Sequence, residues 1–320
     1  MITHTPSNTM SYPKFAKFAL PYSRWELPGW GKLLRATGVY DEDRWAGAPK
    51  RQIRGKYHGY QMRLDLSEWS ERQTYFLGRY YDLQTQLFLR ATLRPGETLI
   101  DVGGNIGMIT LLGSYLVGPQ GRVITFEPNP DAARRIRESI EDNAIKNVTL
   151  NQVGLADTPG QFTLSVITEH MGMGTLAEPE DEHKDLVSVR HTVDVKRGDD
   201  LIADSVPGPA VMKMDIEGFE CRALGGLMKT INRLKPAVVT EVSEHHLKRA
   251  GASAQQLFDL FHGAGYKGYL LDMRSKALGF GKKLSLVPMD KPKIEEDVDV
   301  AWLVPGSVHE SRLAKYIHAS

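Results

Sequence analysis

Acids recur at places in this chain where a carboxylate can do chemistry. Asp101 opens 101-DVGGNIG-107, Glu127 closes the apolar run 122-RVITFEP-128, and Glu241 ends 237-AVVTEV-242. Asp215 and Glu217 lie within 211-VMKMDIEGFE-220. A carboxylate at the end of an apolar run is costly to bury unless it meets a ligand, a cation or a hydrogen-bond donor. His245 and His246 follow directly, and imidazole moves protons near neutral pH. Adjacent residues on a helix diverge by about 100°, so at most one of the pair faces the acids; His245 is taken for that role. His170, in 169-EHMGMGTL-176, belongs to a glycine- and methionine-rich loop of the kind that folds over substrates as a lid.

The glycines narrow the ligand. A dinucleotide fingerprint, G-x-G-x-x-G, would require glycine at Val102 once Gly104 and Gly107 are matched to its last two positions. A phosphate loop would require Gly-Lys-Ser/Thr, which is absent. What remains is D-x-G-x-N-x-G, an acid at a strand end, a glycine turn and a helix start. Such a carboxylate suits a ligand with an ammonium group and a positive centre. The glycines let the backbone come close, and Asn105 can bond the polar end. Glu127, ending the next strand, can accept both hydroxyls of a ribose. Acid, glycine turn and ribose acid together describe a site for S-adenosylmethionine. Its expected contacts are Asp101, Gly103, Gly104, Asn105, Gly107, Glu127, Pro128, Asn129, Gly154, Leu155 and Asp215.

Methyl transfer from a sulfonium needs an acceptor aligned about 3 Å from the methyl carbon. A hydroxyl acceptor must also lose its proton, to a base or with help from a cation. If 211–220 runs extended, Lys213, Asp215 and Glu217 share one face. Asp215 is the first choice to meet the acceptor, the sulfonium or a metal. Glu217 is the second, with capping of the next helix as its alternative, and Lys213 suits an ion pair with a neighbouring acid. The catalytic candidates are thus Asp215, Glu217, Glu241 and His245. Asp215 and Glu241 also suit one Mg²⁺-like ion with oxygen ligands, although two acids make an incomplete set and a metal-free site is favoured. The lack of a His-x-x-x-His pair and of a second cysteine argues against a zinc site, and Cys221 reads as a small buried residue.

These residues need elements to hold them. TLIDV (98–102), RVITFEP (122–128), VTLNQVGL (148–155), AVMKMDI (210–216) and AVVTEV (237–242) read as strands. Helices read between them, at 108–117 and from Pro130, which Asn129 caps while Ala133, Ile136, Ile140 and Ala144 face inward. Hairpin-like material spans 161–197, a helix 254–265, and the last strands are 266–272 and 298–304. Alternating strands and helices imply a doubly wound, mostly parallel sheet with ligands at its carboxyl edge. Upstream, residues 1–55 read as irregular, 57–66 as a hairpin and 82–93 as a helix. The expected division is an N-terminal extension, 1–70, that suits an arm, a lid or an oligomer contact, and a catalytic domain, 71–320. With 25% charged and 41% hydrophobic residues and a net charge of +1, the 320-residue chain suits a soluble protein without a nucleic-acid partner. One cysteine, no leader-like segment and no membrane-length apolar run fit the cytoplasm.

The chain resembles the FkbM-type S-adenosylmethionine-dependent methyltransferases over roughly residues 75–305. The likeness rests on D-V-G-G-N-I-G (101–107), F-E-P-N-P (126–130), G-L-A-D (154–157), K-M-D-I-E-G-F-E (213–220), L-G-G (224–226) and Glu241. The family more often has alanine at Gly104 and glutamate at Asp82. The resemblance implies a class I methyltransferase fold, a seven-stranded sheet whose last two elements form an antiparallel hairpin. It also implies methyl transfer, usually to oxygen, on a sugar hydroxyl or another hydroxyl of a small molecule. The alternatives are an N- or carboxyl-methyltransferase on the same scaffold and a non-catalytic cofactor-binding subunit.

Overall fold

A computed structural model describes residues 14–167, 174–176, 187–275, 281–293 and 295–318. The chain divides into two units, one taking it up to Tyr81 with Ser275–Gly281, the other comprising Asp82–Arg274 and Lys282–Ser320. In the first unit, short helices at Leu20–Arg24, Trp30–Ala36, Glu42–Trp45 and Trp69–Leu77 accompany a hairpin of Lys50–Arg54 with Gln61–Asp65. Its sequence reads as irregular because helices of four to nine residues are too short to display a repeat. Only the second hairpin strand falls in the alternating 57–66 segment. Leu34, Trp45, Met62, Leu64, Phe76 and Leu77 nevertheless form a core. Buried Arg72 ties it together, donating to the carbonyls of Val39, Leu66 and Ser67 at 2.6, 2.9 and 2.9 Å.

The second unit is built on one large sheet. Its strands are β1 (Thr98–Val102), β2 (Arg122–Phe126), β3 (Val148–Asn151), β4 (Ala210–Met214), β5 (Ala237–Val242), β6 (Lys267–Ser275), β7 (Lys282–Pro288) and β8 (Val298–Leu303). Their spatial order is β7-β6-β8-β5-β4-β1-β2-β3. The first five are mutually parallel, while β8 runs antiparallel to both β5 and β6. The sheet therefore has eight strands where seven are expected. The extra one is β7, whose Leu284, Ser285 and Leu286 are buried behind a lysine-rich start that masks it in the sequence. Positions 154–155, read as the end of a third strand, instead belong to a second sheet with Gly160–Ile167, Gly174–Thr175 and Val187–Lys196.

Helices that bear on the site are α1 (Leu83–Thr92), α2 (Met108–Val117), α3 (Pro130–Asp142), α4 (Glu220–Gly225), α5 (Met228–Leu234), α6 (Glu244–Arg249) and α7 (Ala254–Gly263). Every residue of β1 and of β4 is buried, as a strand covered on both faces requires. In α3, Ala133 and Ile136 bury as expected, but the helix ends before Ala144. That residue is exposed at φ 50°, and Ile145 buries in its place. Behind β5 and β8 the core is aromatic. Phe261 stacks on Trp302 with centroids 4.3 Å apart, and Trp302 Nε1 donates to Thr240 Oγ1 at 3.0 Å. Among the described residues, no helix is long and apolar enough to cross a membrane.

Candidate functional site

β1 delivers Asp101 beneath the glycine turn. The residue is fully buried; its Oδ2 accepts Thr110 Oγ1 at 2.6 Å, and among the described residues its Oδ1 has no hydrogen-bond partner. Burial raises its pKa, against the pull of Lys213 and Thr110. The space a Cβ would take on the glycines is already filled by protein. It would meet the Asp215 carbonyl oxygen at 2.1 Å on Gly103, the Thr125 methyl at 2.4 Å on Gly104 and Ile136 at 3.2 Å on Gly107. The first duty of these glycines is therefore to let the turn pack against β2, β4 and α3, and Gly103 and Gly107 also hold φ of 81° and 89°.

That packing aims the turn at Glu127. The N–H of Asn105, at φ 47°, donates to Glu127 Oε2 at 2.7 Å, and the N–H of Asn129 donates to Oε1 at 2.8 Å. A carboxylate oxygen has two acceptor sites, so each keeps one for a further donor. Burial lifts the Glu127 pKa to about 7 in spite of these two bonds and Lys213. Asn129 Oδ1 accepts the N–H of Asp131 at 3.0 Å and caps α3. Pro128 lies beside Gly154, whose added Cβ would stand 3.7 Å from the proline Cβ, and Leu155 is buried in the core.

At the end of β4, Lys213 is in register with Asp101. Its ammonium donates to Gly103 O at 2.7 Å and stands 3.4 Å from Asp215 Oδ2. Burial pulls the lysine pKa down, but Asp215, Asp101 and Asp82 outweigh it and hold the pKa above the ordinary range. The strand stops at Met214, so the extended geometry expected through Glu217 is not realised. The chain turns instead, with Glu217 at φ 55° and Gly218 at 103°. A Cβ on Gly218 would lie 2.2 Å from His246 O, which makes glycine the residue that lets this turn rest on α6. Glu220 ties the turn by accepting the N–H groups of Ile216 at 3.0 Å and Gly218 at 3.4 Å.

The turn brings Glu217 to β5. His246 Nδ1 stands 3.1 Å from Glu217 Oε2 and 3.7 Å from Glu241 Oε2. His246, and not His245, supplies the imidazole; His245 is exposed. The orientation follows from Ser243, which caps α6 by accepting the His246 N–H at 3.2 Å. Burial, Asp215 and Glu241 push the Glu217 pKa to about 8, with His246 opposing. Glu241 raises His246, burial works against this, and Glu217 assists. Glu217, Glu241 and His246 have donor atoms all within 4.8 Å of one another. Asp215, which the sequence offers with Glu241 as an alternative to a metal-free site, has its Oδ2 3.4 Å from the Lys213 ammonium.

Two further acids complete the mouth. Asp82 caps α1 by accepting the Thr85 N–H at 3.1 Å. Asp299 faces Glu241 across the β5–β8 ladder and accepts Gln84 Nε2 at 3.0 Å. Burial raises both pKa values, and Asp215 presses on each. Sequence reasoning marks Asp82 only as a departure and passes over Asp299, although an acid within the apolar run 298-VDVAWL-303 is a signal. Negative groups thus outnumber Lys213 and His246, which suits a positively charged ligand. Burial pushes the Cys221 thiol up to about 12, so no thiolate forms there. His170 lies outside the described residues.

Residues 101–267 match the profile of the "Methyltransferase FkbM domain". The chain is 29% identical over 167 residues to Methyltransferase 1 of Beauveria bassiana, covering 48% of this chain and 64% of that protein. It thus spans somewhat under two thirds of that relative. It is 30% identical over 200 residues to the hexuronic acid methyltransferase AglP of Haloferax volcanii, covering 60% of this chain and 75% of that protein. It is 23% identical over 178 residues to the 2-O-methyltransferase NoeI of Sinorhizobium fredii, covering 52% and 72%. The matched stretch runs from the Asp101 turn to the start of β6, and on that ground the chain belongs to the FkbM methyltransferase family.

Proposed function

We propose that the chain moves a methyl group from S-adenosylmethionine to a hydroxyl of a sugar or sugar-like small molecule. The observation that carries this reading is Glu127, held from behind by two backbone N–H groups with an acceptor site spare on each oxygen. Vicinal ribose hydroxyls are donors of matching number and spacing. The unbonded Asp101 Oδ1 and the acid surplus around Asp215 suit a ligand bearing ammonium and sulfonium charge. When bound, S-adenosylmethionine supplies an electrophilic methyl on a cationic sulfur.

The chain's own part is positional and electrostatic. Lys213 fixes the glycine turn through Gly103 O, and with it Asn105 and the grip on Glu127. Asp215 lies between this half and the group formed by Glu217, Glu241 and His246, where the acceptor docks. That group draws the proton from the acceptor hydroxyl. The name of the Haloferax volcanii relative supports a sugar-acid acceptor, and that of the Sinorhizobium fredii relative supports transfer to oxygen.

The test is incubation with labelled S-adenosylmethionine and a panel of glycosides and uronic acids, followed by identification of the methylated position. Calorimetry should show cofactor binding that Glu127→Ala weakens roughly tenfold or more, the scale of a lost charge-assisted hydrogen bond. Unchanged affinity in that variant would overturn the cofactor site.

A further inference from the structure

Glu217, Glu241 and His246 come from a turn, a strand end and a helix, and three separate devices converge them. Glu217 holds a left-handed backbone at φ 55°, Gly218 allows the turn to touch His246 O, and Ser243 caps the helix that carries the imidazole. Left-handed glutamate costs on the order of 1 kcal/mol or more and persists where the surroundings impose it. The side chains are partly open, with 22%, 33% and 20% exposure for Glu217, Glu241 and His246, so an ion can reach them from solvent.

Donors on one divalent ion with bonds of about 2.1 Å stand about 3 Å apart when adjacent and about 4.2 Å when opposite. The imidazole-to-carboxylate distances of 3.1 and 3.7 Å fall in that range. Nδ1 is buried beside both carboxylates, so a single ion placed there would meet one nitrogen and two oxygen donors together.

We infer that Glu217, Glu241 and His246 bind one divalent first-row transition-metal ion. One imidazole with two carboxylates suits Mn²⁺, Fe²⁺, Co²⁺ or Zn²⁺ better than Mg²⁺ or Ca²⁺, which take oxygen donors. The ligand set differs from the Asp215–Glu241 pair that the sequence offers as an alternative to a metal-free site, and Asp215 Oδ2 stands beside the Lys213 ammonium. The role of the ion rests on the proposed function: beside the acceptor, it lowers the pKa of the hydroxyl that receives the methyl group, whose proton passes to the carboxylate oxygen of Glu217 or Glu241 that is not on the ion.

The experiment uses the whole chain, freed of metal by chelation and titrated with MnCl₂, with free Mn²⁺ followed by electron paramagnetic resonance. One equivalent should bind. Glu241→Gln and His246→Gln should each raise Kd roughly tenfold or more, the scale of losing a metal ligand or its support, while His245→Gln, the exposed neighbour, binds as the parent. Thermal unfolding of each variant establishes that it is folded, and a folded variant that binds Mn²⁺ like the parent overturns the site. So does a parent chain that binds none, or one in which His245→Gln weakens binding as much as His246→Gln. Mn²⁺ binding is read without cofactor or acceptor, so a failure of methyl transfer would sink the functional reading and leave the metal site standing.

Discussion

Glu127 and Asp299 are both acids at the mouth of one sheet, yet their surroundings set them different tasks. Glu127 receives N–H groups from Asn105 and Asn129, so its charge is supported even in a buried position. Glu127→Gln keeps the size but places an NH₂ against one of those donors. S-adenosylmethionine Kd should rise at least about tenfold, as measured by calorimetry. Among the described residues, Asp299 receives only the Gln84 amide, and it faces Asp82, Asp215 and Glu241. Burial and these acids raise its pKa, so its ionised form is disfavoured in the fold and charging it at high pH costs stability. Asp299→Asn retains an acceptor for Gln84 and removes that charge. Calorimetric unfolding should show a higher Tm than the parent at pH 8, with the difference shrinking towards pH 5.

At the level of elements, the turns after β1, β2 and β4 decide how Asn105, Glu127 and Glu217 meet their partners. Gly218→Ala tests the turn after β4. A non-glycine residue at φ 103° with its Cβ 2.2 Å from His246 O must strain or shift. A cost of roughly 1–3 kcal/mol follows, and Tm should drop by about 2–4 °C per kcal/mol in a unit of this size. The same variant should weaken Mn²⁺ binding, since it moves Glu217 away from His246. These turns also mark the limit of what the sequence discloses. Asp101, Glu127 and Asp215 end regular strands, so the pattern places them within a residue or two. Glu217 was expected on a straight continuation of β4, but the strand stops at Met214, a boundary that apolar alternation does not encode. The choice of His246 over His245 depends on the phase of a six-residue helix, fixed by the Ser243 cap. Asp299 enters the site through strand pairing, a contact between distant parts of the chain that no local pattern announces.

Over the whole molecule, acids buried at functional places set a pH dependence opposite to that of ordinary ion pairs. Glu127 and Glu220 have ordinary values of 4.5 and stand at about 7 in the fold. Their contribution is therefore fully present below about 4.5 and is lost as pH rises through about 7, since the unfolded chain ionises them without cost. The ligand-free protein should lose thermal stability between about pH 5 and pH 8, and Glu220→Gln should flatten that slope. Cationic S-adenosylmethionine favours the ionised form of Glu127, so the Tm increment it gives should grow with pH in a thermal-shift series. The direction of β8 has its own bearing on the acceptor side. Because β8 runs against β5 and β6, it presents its first residues to the mouth, Asp299 among them, while β5 presents its last. The grip on Glu127 is made wholly by turns after β1 and β2. Under the proposed function, variation in the first residues of β8 would change the acceptor side while the grip on Glu127 stays as it is.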